Sequence, residues 1–188
     1  MAISGKPGVF EKFISGFSSK TGKSATEKKW SNEFRKINKL LKDKAIGDLE
    51  AVLRPLHQWL NDEADSDAVQ PEWLNQIGLI YQAYSGDFTM AEECFSQALL
   101  KAEKNEETRE KALAMMNLGS LYLDQSRSAE AVETFTCLKP FIEQHFGPES
   151  REKATVCQNL AAAYRMAGNE NKAKSERIES TRILRKLT

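Results

Sequence analysis

The chain repeats itself. Glu107-Thr-Arg-Glu-Lys-Ala-Leu-Ala-Met-Met-Asn-Leu-Gly-Ser-Leu-Tyr122 is echoed by Glu149-Ser-Arg-Glu-Lys-Ala-Thr-Val-Cys-Gln-Asn-Leu-Ala-Ala-Ala-Tyr164, a return after 42 residues. Small residues keep a similar beat, with Ala51, Ala91, Ala131 and Ala173 separated by 40, 40 and 42 positions. That is the period of a helical hairpin.

Within each unit the apolar spacing is helical. Ile77, Ile80, Tyr81 and Tyr84 in one, and Leu118, Leu121 and Tyr122 in the next, follow steps of three, four and seven, and strand-like alternation is absent. Each first helix is expected to end near a turn signal: Ser85-Gly86-Asp87, Gln125-Ser126-Arg127 or Ala167-Gly168-Asn169. A second amphipathic run with the recurring alanine follows each turn. A small residue is wanted there because the two helices cross closely, and a larger side chain would force them apart.

This pattern resembles the tetratricopeptide repeat at Gly78, Tyr81, Gly86, Phe88, Ala91, Phe95 and Ala98 in the first clear unit. Leu118, Gly119, Tyr122, Ala131 and Phe135 carry it in the second, and Leu160, Ala161, Tyr164, Gly168 and Ala173 in the third. The third unit departs from the family at Arg177, where an aromatic is usual. Such polar drift suits a terminal capping repeat, whose outer face meets water. The 42-residue spacing resembles the long-repeat subclass found in kinesin light chains. The resemblance implies an all-α, right-handed superhelix of antiparallel helical hairpins and a non-enzymatic scaffold for another protein.

Three regions follow. Residues 1–29 form a basic segment with a short amphipathic helix, residues 30–70 a degenerate hairpin with an acidic connector, and residues 71–188 three clear hairpins, the last a cap. In the degenerate pair, Trp30, Phe34, Ile37, Leu40 and Leu41 mark one helix and Ile46, Leu49, Val52, Leu53, Leu56 and Leu60 the other, with Ala51 in phase with the later alanines. Pro55 and Pro140 are expected to bend their helices. Pro71 and Pro148 stand where a helix begins and a proline is tolerated. The stretch from Asn61 to Asp67 reads as a solvated connector.

Composition removes several classes of function. Lys plus Arg and Asp plus Glu both number 27, so no overall field favours nucleic acid or an anionic membrane. The three cysteines, Cys94, Cys137 and Cys157, form no CxxC pair and sit among apolar neighbours, which predicts reduced, small core side chains and no zinc site. His57 and His145 accompany no nucleophile motif, so neither a catalytic site nor a cofactor is expected. Gly22-Lys23-Ser24 lacks both the glycine spacing and the preceding strand of a phosphate loop. Trp30, Trp59 and Trp73 read as packing anchors, and Tyr81, Tyr122 and Tyr164 as core tyrosines. With no spanning segment, the expected location is the cytoplasm, with at most a peripheral membrane attachment.

Candidate binding residues come from the amides that precede the small pair in each first helix: Asn75-Gln76, Met116-Asn117 and Gln158-Asn159. In the long-repeat subclass the amide at this place faces the concave groove and bonds the backbone of an extended peptide, so the resemblance carries that role to Gln76, Asn117 and Asn159. An amide offers both a donor and an acceptor to such a strand. The alternative is that these amides brace adjacent helices. The same face is expected to carry Leu79, Gln82, Met116, Ser120, Leu123, Gln158, Ala162, Arg165 and Met166. It lacks the clustered cations that clamp a C-terminal carboxylate, since Arg165 stands alone along these helices.

The first 29 residues hold six Lys against two Glu and place Val9, Phe10, Phe13, Ile14 and Phe17 at helical steps. Docking on the repeat surface, insertion into a partner or a second copy, and weak adsorption to an anionic membrane are the open roles for that helix. Two readings of the whole chain follow. One is an adaptor that grips a segment of another protein in its groove. The other is a self-associating or membrane-peripheral assembly protein built around the N-terminal helix.

Overall fold

The computed structural model describes residues 24–63 and 68–187, and among these it contains helices, turns and no strand. The described residues fall into two compact units, one ending at residue 59 and the other beginning at residue 60. The docking helix expected from Val9, Phe10, Phe13, Ile14 and Phe17 lies outside the described residues.

In the first unit, α1 runs over Ala25–Lys42. Its start is set by a capping box, in which the Glu27 backbone N–H donates to Ser24 Oγ at 3.1 Å and the Ser24 N–H donates to Glu27 Oε2 at 2.7 Å. A 3₁₀ turn at Ile46–Asp48 leads into α2, Leu49–Asp62, which crosses into the second unit. Trp30, Ile37, Leu49, Leu53 and Leu56 are buried. Trp59 is only half-buried, with Lys29 Nζ 4.3 Å from its ring centroid. Ala51 is exposed, so its phase with the later alanines does not make it a crossing residue. Pro55 lies inside α2 without ending it, and its side chain faces out. The half-turn of helix before it loses one backbone bond where water can replace it.

The second unit is a run of antiparallel hairpins. Its helices are α3, Pro71–Ile80, extended by a π-helical turn at Tyr81–Ser85; α4, Phe88–Lys104; α5, Thr108–Asp124; α6, Ser128–Phe146; α7, Arg151–Met166; and α8, Glu170–Lys186. Side chains satisfy the free N–H groups at several starts: Asp87 accepts from Met90, Ser150 from Lys153 and Asn169 from Lys172. Pro71 occupies the first turn of α3 as expected, whereas Pro148 lies outside α7, beyond its cap Ser150. Pro140 sits within a continuous α6. Left-handed residues end the three first helices in register: Gly86 at φ 69°, Ser126 at φ 60° and Gly168 at φ 76°.

Each helix packs on the next, and the first helices α3, α5 and α7 also pack on one another. The recurring alanines Ala91, Ala131 and Ala173 are buried as predicted. The closest approach is elsewhere. A Cβ added to Gly78 would lie 2.5 Å from Phe95 Cε1, and one added to Gly119 would lie 2.5 Å from Phe135 Cζ. Both phenylalanines are fully buried. The ring from the second helix therefore presses on bare backbone of the first, and glycine is required because any side chain would collide with it. Between hairpins, Ala112, Ala131, Phe135, Leu138, Ile142, Val156, Leu160 and Ala163 form one continuous core.

Polar contacts tie the last three helices. Lys153, only 7% exposed, reaches Glu143 of α6 at 3.1 Å and Glu179 of α8 at 3.2 Å. Lys139 of α6 pairs with Glu176 of α8 at 2.8 Å, and Ser180 Oγ donates to the Ala154 carbonyl at 2.9 Å. Cys94 and Cys157 are core side chains as expected, and burial pushes the Cys157 thiol up to about 12. Cys137 is exposed, because it lies on the outward side of α6 although its sequence neighbours include Leu138.

Candidate functional site

The amide row spans the first helices. Asn117 Nδ2 of α5 donates to Asn75 Oδ1 of α3 at 3.1 Å, in a buried contact across 42 residues of sequence. Asn159 Nδ2 of α7 points at Met116 Sδ of α5, 3.2 Å away. Gln82 Nε2 of the π turn donates to Asp124 Oδ2 of α5 at 2.7 Å. Each first helix is thus tied to the next by a side chain on one face. Gln76 instead bonds within its own helix, donating to Glu72 Oε1 at 3.2 Å. Burial, together with the nearby Glu110, raises the Glu72 carboxyl above its ordinary range, with Arg109 opposing.

The residue in register with Asn117 is therefore Asn75, which the sequence reading placed beside the row and not in it. Its signal was available: positions 75, 117 and 159 are all Asn and are spaced by 42 on both sides. Asn75 is 1% exposed, and Gln76 and Asn117 are each 8% exposed. Asn75 Nδ2 and Gln76 Oε1 have no hydrogen-bond partner among the described residues, so a donor and an acceptor are left unspent side by side on α3.

The remaining expected groove residues grade from partly covered to open. Leu79, Gln82, Met116, Ser120, Leu123, Asn159 and Ala162 are half-buried, and Gln158, Arg165 and Met166 are exposed. Ser120 Oγ is occupied by the Met116 carbonyl, 2.9 Å away. Gln158, Ala162 and Arg165 share a cleft of about 280 Å³ with Ala161, Glu170, Ala173, Lys174 and Arg177. Arg165 is consequently not the lone cation expected along the first helices, because α8 brings Lys174 and Arg177 to it.

Two of the three tyrosines expected in the core, Tyr122 and Tyr164, are only half-buried, because each carries a cation on its outer face. Arg127 lies 4.3 Å from the Tyr122 centroid and pairs with Glu92 at 2.6 Å and Glu130 at 2.7 Å, while Tyr122 Oη donates to Glu92 at 3.0 Å. Lys172 lies 5.2 Å from the Tyr164 centroid. His57 is buried and His145, exposed, lies 4.4 Å from the Phe141 ring centroid. Among the described residues no group of three or more His, Cys, Asp or Glu is arranged to hold a metal ion, and no helix is long and apolar enough to cross a membrane.

With this geometry in place, likenesses to known proteins become specific. Residues 70–139 match the tetratricopeptide repeat family model. No curated protein matches the sequence. The crystal structure of kinesin light chain nearly identical TPR-like repeats from Podosopora anserina aligns over 96% of this chain and 84% of its own, at 14% identity and a TM-score of 0.74. A single-substitution variant of that protein aligns over the same shares, at 14% identity and a TM-score of 0.71. At such identity the likeness is one of fold. Residues 70–139 are therefore similar to tetratricopeptide repeats, and the second unit has the all-α helical-hairpin fold seen in those kinesin light chain repeats.

Proposed function

We propose that the chain is an adaptor that binds a segment of a partner protein along the face shared by α3, α5 and α7. The tetratricopeptide-like fold supports an interaction scaffold. The observation that carries the finer reading is the continuity of that face. Asn75–Asn117, Met116–Asn159 and Gln82–Asp124 join successive first helices, so an extended segment laid across them meets one surface. Leu79, Met116 and Leu123, each half-buried on that face, supply adaptable apolar contact.

The test compares two arginine substitutions in the full chain used as bait. Leu123→Arg alters the first-helix face, and Leu100→Arg alters α4 at an exposed leucine. Loss of the captured partner with Leu123→Arg and its retention with Leu100→Arg is the expected result. Retention with both, or loss only with Leu100→Arg, overturns the assignment of the face.

A further inference from the structure

The three hairpins treat one structural position in two ways. Phe95 and Phe135 fill the crossing of the first and second hairpins by pressing on Gly78 and Gly119. In the third hairpin both members of the pair change. Ala161 occurs 42 residues after Gly119, and Arg177 occurs 42 residues after Phe135. The added methyl occupies the place where a ring would press, and the ring is gone.

What remains is the cleft of about 280 Å³ between α7 and α8. Ala161, Ala162 and Ala173 form an apolar floor, and Arg165, Lys174 and Arg177 bring three cations to its lining against one carboxylate, Glu170. Four other cations of this unit that reach across to another element are matched: Arg127 by Glu92, Lys139 by Glu176, Lys153 by Glu143 and Glu179, and Arg182 by Glu149. The cations of the cleft differ from these in making no ion pair among the described residues. Arg165 comes from α7 and Lys174 and Arg177 from α8, all three exposed, so the cleft gathers like charges at its lining with Glu170 as the one acidic neighbour there.

We infer that this cleft binds an acidic side chain of a partner peptide, with the methylene stem on the alanine floor and the carboxylate among Arg165, Lys174 and Arg177. Charge complementarity selects the occupant. An uncharged apolar side chain would leave three cations partly desolvated and unmatched, whereas a glutamate satisfies both the floor and the rim. The inference rests on the reading of the first-helix face as a peptide groove, because Gln158, Ala162 and Arg165 belong to both. It makes the end of that groove next to α8 selective for acid.

A fluorescein-labelled hexamer of glutamate, blocked at both ends, is the probe, and the matching glutamine hexamer is the reference. Both are titrated into the full chain by fluorescence anisotropy at low and physiological salt. The glutamate peptide should bind at least tenfold more tightly than the glutamine peptide, and Arg165→Gln/Arg177→Gln should remove most of that difference. Lys101→Gln/Lys104→Gln, on α4, should leave it intact. The double variant Ala161→Gly/Arg177→Phe rebuilds the aromatic plug of the other hairpins, and it should stay helical by circular dichroism while losing the preference for acid. Equal affinity for the two peptides, or a preference that survives both cleft variants, overturns the inference, as does an equal loss in the α4 variant. The Leu123→Arg capture experiment fails or succeeds independently of these outcomes, so a groove without an acid-selective end is distinguishable from the absence of a groove.

Discussion

The crossings of the first and last clear hairpins are built from the same backbone and held by different forces. At Gly78 and Phe95, and again at Gly119 and Phe135, a buried ring seats on glycine. At Ala161 and Arg177 no ring is present, and α8 is retained by Ala173 and Ile183, by the Ser180 hydroxyl on the Ala154 carbonyl and by the ion pairs of Lys153 and Lys139. Burial of a phenylalanine is worth several times a partly exposed ion pair. A repeat can therefore exchange stability for an open, charged cleft without altering its helical course, provided that neighbouring hairpins keep their plugs.

The largest expected effect compares the two sides directly. Phe135→Ala should destabilise the chain by about 3–5 kcal/mol through lost burial and the cavity it leaves, while Arg177→Ala should stay within about 0.5 kcal/mol. Urea denaturation followed by circular dichroism measures both. Similar losses would mean that the crossings are not different in kind.

Next comes the glycine. Gly119→Ala places a methyl 2.5 Å from the Phe135 ring and should cost about 1–3 kcal/mol by overpacking, although alanine favours a helix. At the equivalent place in the last hairpin the sign of the exchange reverses. Ala161→Gly should cost about 1 kcal/mol, the ordinary penalty for glycine inside a helix, with no relief of crowding. A stabilising Gly119→Ala would show that the ring moves aside freely.

Asn117→Ala probes the tie between hairpins. It removes the bond to buried Asn75 and should lower stability by about 1–2 kcal/mol because Asn75 Oδ1 then lacks its partner. An unchanged denaturation midpoint would show that the amide contributes nothing to holding α5 on α3.

The smallest expected effect is the pH dependence of the last hairpin. The Arg182 hydrogen bond, aided by Lys153, holds the Glu179 carboxyl at about 2, well below the ordinary range, despite an opposing effect of burial. A depressed folded-state value stabilises the fold above the unfolded carboxylate value of roughly 4.3, and that contribution is lost as pH falls from there towards 2. Amide exchange of α8 should consequently rise between about pH 5 and about pH 3, across the ordinary carboxylate range, relative to α5 and after correction for intrinsic rates. Glu179→Gln should flatten the trend, and an identical trend in that variant would assign the acid sensitivity to other carboxylates.

Much of the fold was legible because its signals are local or strictly periodic. Helical spacing put Ile77, Ile80 and Tyr81 on one buried side, and all three are covered in the structure. The turn signals at Gly86, Ser126 and Gly168 coincide with the left-handed residues that end the first helices. Ala51 shared the beat of the later alanines and yet faces solvent, because a position in a period identifies a register and not what packs against it. Cys137 beside Leu138 teaches the same lesson, since adjacent helical residues point about 100° apart.

The candidate face was legible only in part. Its residues could be named from the repeat, but Asn75 was passed over for Gln76, which bonds to Glu72 of its own helix and not to a neighbour. Arg165 looked isolated because Lys174 and Arg177 lie on another helix, beyond the turn at Gly168, and nothing in linear spacing says that all three line one cleft.

Helices, their turns, the 42-residue register and the places reserved for small residues were thus written along the chain, since each depends on neighbours within one turn or one repeat. Which amide meets which, which phenylalanine seats on which glycine, and where three cations converge depended on how the helices cross. Crossing is settled by the packing of whole faces, an interaction among residues tens of positions apart that no local pattern records.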